Sequence, residues 1–167
     1  LEKTGKAVRA GDFASARREL AAYYRTRTGA YFTLPPQEPG KGAGKRAVLT
    51  ELARPLLERT GNYDASLWDG DLFDWNERRY KFRERMYGFG AFGKAYALTG
   101  DERIAREWVK LLRSFVVKCP LDKKDTMWYS MDVGIRMRTG WPEAFHCFIK
   151  SPSFSDDDVV LFLKSVY

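Results

Sequence analysis

The sequence predicts an all-α protein built from antiparallel helix pairs, and two observations support this fold class. Apolar residues recur at spacings of three and four along several segments of the 167-residue chain, which is the helical period. A motif of the form G-D-x-x-x-A-R also occurs twice, at 11–17 and at 100–106. Its glycine ends one helix, its aspartate caps the next, and its alanine lets the two helices approach. Repeated junctions of this kind are typical of solenoids and α/α toroids.

The first half of the chain predicts a helix pair, a long loop and a further helix. A short amphipathic turn opens the chain, and Asp12 caps a helix over 13–27 whose apolar residues share one face. The segment 29–45 is rich in proline and glycine and predicts a loop. Residues 48–59 predict a helix that Pro55 either kinks or splits.

The second half of the chain predicts an aromatic loop followed by more helices. Residues 61–80 are rich in aromatic and aspartate residues without a helical period, so we expect an ordered loop whose rings pack against the helices. The chain then has about seven helices in all. The remaining helical segments lie at 82–98, at 102–118, at 128–149 with a break near Gly140, and from Ser155 onward.

The composition favours one domain that attracts polyanions. A chain of 167 residues, 44% of them hydrophobic, supports one core of good size and is short for two. The 29 Lys and Arg residues outnumber the 22 Asp and Glu residues, and the net charge of +7 attracts acidic glycans, nucleic acids or anionic membranes. No apolar run approaches the roughly 20 residues of a membrane span. Aromatic residues make up 15% of the chain, more than a small helical core needs, so we expect some of them to contact a ligand or another domain.

Several short motifs suggest chemistry but fit ordinary structure better. The run GKGAGKR at 40–46 lacks the spacing and the Ser or Thr of a phosphate-binding loop. The aspartates of 61–80 lack the glycine and the final glutamate of a calcium loop. The only histidine, His146, stands among apolar residues and is interpreted as a packed helix residue, and no Ser-His-Asp arrangement is evident. The three aspartates at 156–158 are interpreted as charges that favour a helix N-terminus.

The two cysteines do not indicate a metal site. Cys119 and Cys147 lie in different segments and have no close-spaced partner. A disulfide and two buried thiols are both open, and we favour the thiols. For the chain as a whole we expect neither a metal nor a cofactor.

The segment 128–141, WYSMDVGIRMRTGW, concentrates candidate binding residues. Asp132 and Arg136 lie one turn apart, so we expect Asp132 to pair with Arg136 and orient it. Arg136 and Arg138 are separated by about 200° around a helix, so at most one of them addresses a ligand, and Arg138 is assigned to solvent. One apolar stripe on the same helix is assigned to packing: Val133, Met137 and Trp141.

A basic run at 78–85, RRYKFRER, alternates cations with aromatic residues. A solvated helix face explains this pattern as well as a polyanion-binding surface does, in which charges pair and rings stack. Both interpretations stay open.

Five segments of the chain occur in an order that is typical of one enzyme family. They are DFASARRELAAYYRTR, LFDWN, AYALTGDERIAREWVKLLRSFVVKCP, WYSMDVGIRMRTGWPEAF and SFSDDDVVLFLKSV, and together they cover most of the chain. In these segments the chain resembles the N-terminal helical part of the heparinase II/III-like polysaccharide lyases, a group that includes alginate lyases. The junction AYALTGDE, followed by the helix that contains GIR, is the most specific part of the resemblance.

The resemblance implies a fold and an activity. It implies that residues 1–167 form a single helical domain, the N-terminal portion of an incomplete α/α toroid, with the catalytic remainder and a β-sandwich domain absent from this chain. It also implies cleavage of uronic-acid glycans by β-elimination, in which a neutralised carboxylate acidifies the C5 proton and a Tyr or His removes it. The family's catalytic Asn, His and Tyr match no residue here, so we expect the fragment alone to be inactive.

The resemblance also implies a cleft and a location. We expect an acidic polysaccharide substrate and the C-terminal remainder of the same polypeptide as partners, with no nucleic acid and no membrane, in the periplasm or outside a bacterium. A non-catalytic helical-repeat module that binds an acidic protein or glycan is the alternative, and nucleic-acid binding, which rests on charge alone, ranks below it. The expected cleft residues stack on sugars, bind hydroxyls or meet an acidic group, and they are Trp75, Asn76, Trp128, Tyr129 and Arg136.

Overall fold

A computed structural model of the chain describes residues 1–27, 68–69, 72–73, 75, 89–120 and 128–166. The helices in these residues are α1 (Glu2–Arg9), α2 (Phe13–Thr26), α3 (Phe89–Thr99), α4 (Glu102–Lys118), α5 (Ser130–Thr139), α6 (Trp141–Phe148) and α7 (Asp156–Val166). Two strands of two residues each, β1 (Trp68–Asp69) and β2 (Leu72–Phe73), pair antiparallel, with Trp68 opposite Phe73. The predicted all-α class is confirmed. None of the described helices has the length and apolar character needed to cross a membrane.

Both predicted helix junctions are present. Gly11 and Gly100 have φ angles of 73° and 65°, a left-handed conformation that glycine adopts without strain. Asp12 and Asp101 each accept a hydrogen bond of 3.0 Å from a backbone N–H two or three residues further along the chain. Helix α1 contacts α2, and α3 contacts α4, so each junction closes a helix pair.

Helices α3 and α6 approach each other closely at Gly93. A Cβ atom at this position would lie 2.9 Å from Cα of Ala144 and 3.3 Å from Sγ of Cys147. Real Cβ atoms do not approach backbone atoms this closely, so the absence of a side chain at Gly93 sets the distance between the two helices.

The core is centred on α4, whose apolar stripe was predicted from its spacing. The ring of Trp108 stacks on Phe148 of α6 with centroids 4.9 Å apart, and Phe115 meets Trp141 edge to face at 4.9 Å. Strand β2 also contacts α4. The stripe residues are buried except for a half-buried Val116, and the buried ones are Ile104, Trp108, Leu111, Leu112 and Phe115.

The aspartates at the start of α7 stabilise the N-terminus of the helix, as predicted. Asp158, 2% exposed, accepts hydrogen bonds from Nε and Nη2 of Arg113 at 2.7 and 2.9 Å. It also accepts from the backbone N–H and the hydroxyl of Ser155, whose Oγ in turn accepts from the Asp158 N–H. Asp157 pairs with Arg17 at 3.0 Å. The negative charges of Asp157 and Asp158 at the N-terminus of α7 are therefore paired with arginines of the same chain.

Arg25 of α2 forms hydrogen bonds to the connection between α6 and α7 and to the start of α7. Its Nη1 pairs with Asp156, its Nε donates to the carbonyl of Ile149 at 3.2 Å, and its Nη2 donates to the carbonyl of Phe154 at 3.0 Å. One guanidinium therefore satisfies two backbone carbonyls and one carboxylate.

Glu102 performs a similar role where α3, α4 and the α6–α7 connection meet. Its Oε1 accepts from the hydroxyl of Tyr96 at 2.7 Å, and its Oε2 accepts from the hydroxyl of Ser151 at 2.6 Å. Burial raises the pKa of Glu102, but hydrogen bonds from Ser151, Ser153 and Tyr96 outweigh burial and leave the pKa below its ordinary value. Burial and the bond to Glu102 raise the pKa of the Tyr96 hydroxyl.

The structure corrects one detail of the predicted elements and confirms another. The segment 61–80 was expected to be a loop, whereas Trp68–Asp69 and Leu72–Phe73 form a small hairpin. Strands this short carry almost no periodic signal, and β2 also contacts α4. The segment 128–149 forms two helices, α5 and α6, that meet at the predicted break around Gly140.

Of the remaining predictions, those for the cysteines and the histidine agree with the structure, and the others concern residues that the structure does not describe. Cys119 and Cys147 are free thiols, and burial, with a smaller contribution from Glu143, raises the pKa of Cys147 to about 11. His146 is half-buried in α6, in line with a packed helix residue. Five predicted features lie outside the described residues: the loop at 29–45, the GKGAGKR run at 40–46, the helix at 48–59, the basic run at 78–85 and the start of the helix at 82–88.

Substitution of Gly93 should destabilise the chain. Gly93→Ala places a methyl group against the backbone of α6, and overpacking of this kind costs about 1–3 kcal/mol in the free energy of unfolding. Gly134→Ala in α5 is the matched control, because among the described residues no atom beyond its chain neighbours and its own helix backbone lies within 4 Å of the added Cβ, and it should stabilise by up to about 1 kcal/mol. Urea denaturation followed by tryptophan fluorescence measures both. A Gly93→Ala chain as stable as the wild type would contradict this account of the α3–α6 contact.

Replacement of Glu102 should make the stability of the fold less dependent on pH in the acid range. Because the pKa of Glu102 is lowered in the folded chain, its ionised form stabilises the fold above the ordinary value of 4.5, and this contribution is lost as the pH falls from there through the lowered pKa. Between about pH 5 and pH 3, the urea midpoint should therefore fall less in Glu102→Gln than in the wild type. Glu2→Gln removes only an exposed pair with Lys6 and should follow the wild type. Identical acid profiles for Glu102→Gln and the wild type would show that this prediction is wrong.

Candidate functional site

An open pocket of about 430 Å³ lies between α5, α7 and the C-terminal end of α4. Its volume is in the range of about 300–1,000 Å³ that is usual for small-molecule sites. The C-terminal end of α4 contributes Val116, Cys119 and Pro120. The other two helices each contribute residues spaced three or four apart, which lie on one helix face, and these are Ser130, Val133 and Met137 of α5 and Leu161, Lys164 and Ser165 of α7.

Trp128 forms one wall of this pocket because of how α4 ends. Its indole Nε1–H donates a hydrogen bond of 2.9 Å to the carbonyl of Cys119, the residue that follows α4. That carbonyl is among those that a helix leaves without a partner at its C-terminus, so the bond satisfies it and fixes the ring. The ring is half-buried, and its centroid lies 5.6 Å from that of Phe115.

Arg136 of α5 supplies positive charge to the pocket from an enclosed position. The side chain is 2% exposed, and its Cζ lies 5.0 Å from the ring centroids of Phe115 and Trp128 and 5.1 Å from that of Trp141. A desolvated cation over an aromatic ring gains about 2 kcal/mol or more. Asp132, 5% exposed, lies one turn earlier on α5, and its expected pairing with Arg136 stays a prediction.

Of the other expected cleft residues, Tyr129 lies beside the pocket and Asn76 is not among the described residues. Tyr129 directly precedes α5 and is 60% exposed, so its ring is open to solvent beside the pocket rather than within it. Asn76 lies outside the described residues. The exposed Arg138 agrees with its assignment to solvent.

Trp75 lies in the core, where it leaves no ring face for a sugar. It is 1% exposed, its Nε1–H donates to Oγ of Ser114 at 3.1 Å, and its ring meets Phe115 edge to face at 5.3 Å. The expected stacking of Trp75 on a sugar therefore has no support in this geometry. The aromatic residue type predicts burial and ligand contact equally, and only tertiary packing distinguishes them.

Two sets of pocket residues were missed or assigned differently from the sequence. Val133 and Met137 were assigned to packing, but they are half-buried and line the pocket, whereas Trp141 is packed at 1% exposure and also borders it. The α7 residues were not considered. Their signal was available, because Lys164 stands with Leu161 and Ser165 at helical spacing on the side of α7 away from its buried residues.

The family comparison covers the whole chain. The family model for the heparinase II/III N-terminus matches residues 1–167. The heparin-sulfate lyase of Pedobacter heparinus is 29% identical over 194 residues, and the heparin-sulfate lyase of Bacteroides stercoris is 29% identical over 196 residues. Both alignments include 100% of this chain, which spans 28% and 29% of the two relatives' lengths.

Solved structures agree with the family match. The crystal structure of a mutant of the heparan sulfate lyase HepC from Pedobacter heparinus superposes with a TM-score of 0.74 at 27% identity, over 99% of this chain and 28% of that chain. A heparinase III gene product superposes with a TM-score of 0.78 at 25% identity, over 99% of this chain and 29% of that chain. The predicted architecture is confirmed, because the N-terminal domain of heparinase III is an α/α toroid. The chain belongs to the heparinase II/III family and corresponds to its N-terminal domain.

Proposed function

We propose that this chain is the N-terminal toroid portion of a longer polysaccharide lyase and forms one wall of its substrate cleft. The substrate class is a glycan that contains uronic acid, and the reaction is β-elimination. Family membership over residues 1–167 and two bacterial relatives named heparin-sulfate lyases support this proposal. Because both relatives carry that name, a heparan-type glycan is favoured over alginate.

The observation that carries the proposal is the combination of rings and cations in one pocket. Trp128 presents an indole wall, Arg136 lies directly behind it, and Lys164 stands across the pocket on α7. Aromatic faces suit the C–H faces of sugar rings, and an exposed cation such as Lys164 suits carboxylate and sulfate groups. The net charge of +7 adds a long-range field that draws a polyanion towards the surface.

The chain's part in the reaction is binding and orientation. β-Elimination requires neutralisation of the uronate carboxylate, removal of the C5 proton by a base and departure of the 4-O-linked sugar. We assign none of the groups that perform these steps to this chain. We propose that they belong to the remainder of the polypeptide, so the chain alone binds without cleaving. Holding the sugar in a fixed position relative to those groups lowers the entropic part of the barrier.

Two rival functions have less support. A non-catalytic helical-repeat module would also consist of helix pairs, but the family match covers the whole chain, which favours the lyase. Nucleic-acid binding rests only on the net charge. We also propose a periplasmic or secreted location, since polymeric glycans of this class are encountered outside the cytoplasm.

Substitution of Arg136 in the full-length polypeptide should reduce activity. Arg136→Met removes the cation that holds Trp128 and Trp141, and loss of a buried charged contact predicts about a 10- to 100-fold lower kcat/KM on a heparan-type glycan. The ultraviolet absorbance of the unsaturated product measures the rate. Arg138→Met is the matched control, because this arginine is exposed on the same helix, and it should retain wild-type activity.

The activities of Arg136→Met and of the wild type on a panel of uronans test both the site assignment and the proposed function. Unchanged activity of Arg136→Met on every acidic glycan, with an unchanged circular dichroism spectrum, would exclude Arg136 from the site. A wild-type polypeptide that cleaves no uronan would contradict the proposed function itself.

A further inference from the structure

The enclosure of Arg136 limits what its guanidinium can reach. Three rings lie within 5.0–5.1 Å of its Cζ, and only 2% of the side chain is exposed. A guanidinium binds carboxylate or sulfate in its own plane through a fork of N–H groups, which needs an open edge. Turning outward to a ligand would give up the ring contacts and disturb the wall of the pocket. Arg136 is therefore placed to hold rings rather than to grip a ligand.

Lys164 has the opposite environment in the same pocket. It is exposed, it stands on α7 with Leu161 and Ser165, and it has no carboxylate within ion-pair distance in the part of the chain that the structure describes. Its four-carbon stem lets the ammonium group adjust to an anionic group at the pocket mouth, and an exposed ammonium needs no prior release from a partner.

The surroundings of Lys164 suit a sugar. Ser165 donates its hydroxyl proton to the carbonyl of Phe162 at 2.6 Å, so its oxygen retains acceptor capacity for a sugar hydroxyl. Val133 and Met137 give an apolar floor opposite, on α5. A cation, a hydroxyl acceptor and an apolar surface in one concave site are the features that a charged monosaccharide unit needs.

We infer that Lys164 contacts the acidic group of the bound glycan, a carboxylate or a sulfate, and that Arg136 acts as a positioning residue for Trp128 and Trp141. This inference rests on the proposed function, and it assigns the ligand contact to α7 instead of α5. Lys164 is then a binding residue that affects substrate affinity, with no part in proton transfer.

Steady-state kinetics of the full-length polypeptide on a heparan-type glycan test the inference. Lys164→Met keeps an unbranched side chain of nearly the same length but removes the charge, so KM should rise about five- to tenfold while kcat stays within about twofold of the wild type. Lys164→Arg should restore most of the affinity. The dependence of KM on salt concentration should also become shallower in Lys164→Met, because one ionic contact is lost.

Lys150→Met is the matched control, since Lys150 is exposed between α6 and α7 and does not line the pocket. It should leave KM unchanged. An active wild type with equal KM values for Lys164→Met and Lys150→Met would overturn the role of Lys164 while the proposed function stands. A wild type that neither cleaves uronans nor binds a heparan-sulfate oligosaccharide in calorimetry would overturn both.

Discussion

The burial of the Arg136 guanidinium among three aromatic rings is the interaction on which the pocket depends. Phe115 comes from α4, Trp141 from α6 and Trp128 from the segment before α5, so one cation links four parts of the chain. Removal of a charge from water carries a large cost unless the charge is paired, and ring contacts offset part of it. This constraint fixes α5 against the core. A pocket wall that is fixed in this way needs little reorganisation when a ligand binds.

The same rings connect the pocket to the rest of the fold. Phe115 contacts Trp75 and Trp141 as well as Arg136, and α4 extends from this cluster back to the Gly100 junction. At the other side, Arg25 and Glu102 hold the α6–α7 connection, which sets where α7 begins. The placement of Lys164 thus follows from hydrogen bonds near the opposite end of α7. The sequence therefore determines the geometry of the pocket through the packing of the helices.

The parts of the fold that the sequence predicted well are those with local causes. The G-D junctions and the α4 stripe depend on a left-handed glycine, a cap and a period, all of which can be read within a few residues. The roles of individual rings could not be predicted, because Trp75 and Trp128 have the same chemistry and differ only in what packs over them. The spacing of Val133 and Met137 was correct, yet whether such a stripe faces core or pocket depends on α7, which begins only at Asp156. Arg136 was selected from the motif, and its burial favours the inferred contact with rings over the expected contact with an acidic group.

The central claim is that the pocket between α4, α5 and α7 holds an acidic sugar unit against Trp128. A crystal structure of the full-length polypeptide with a bound heparan-sulfate oligosaccharide tests this most directly. The account predicts a sugar ring against the Trp128 indole, with a carboxylate or sulfate oxygen within hydrogen-bond distance of Lys164 Nζ and Arg136 still enclosed by its three rings. An oligosaccharide bound elsewhere, with this pocket filled by side chains from the remainder of the polypeptide, would contradict it.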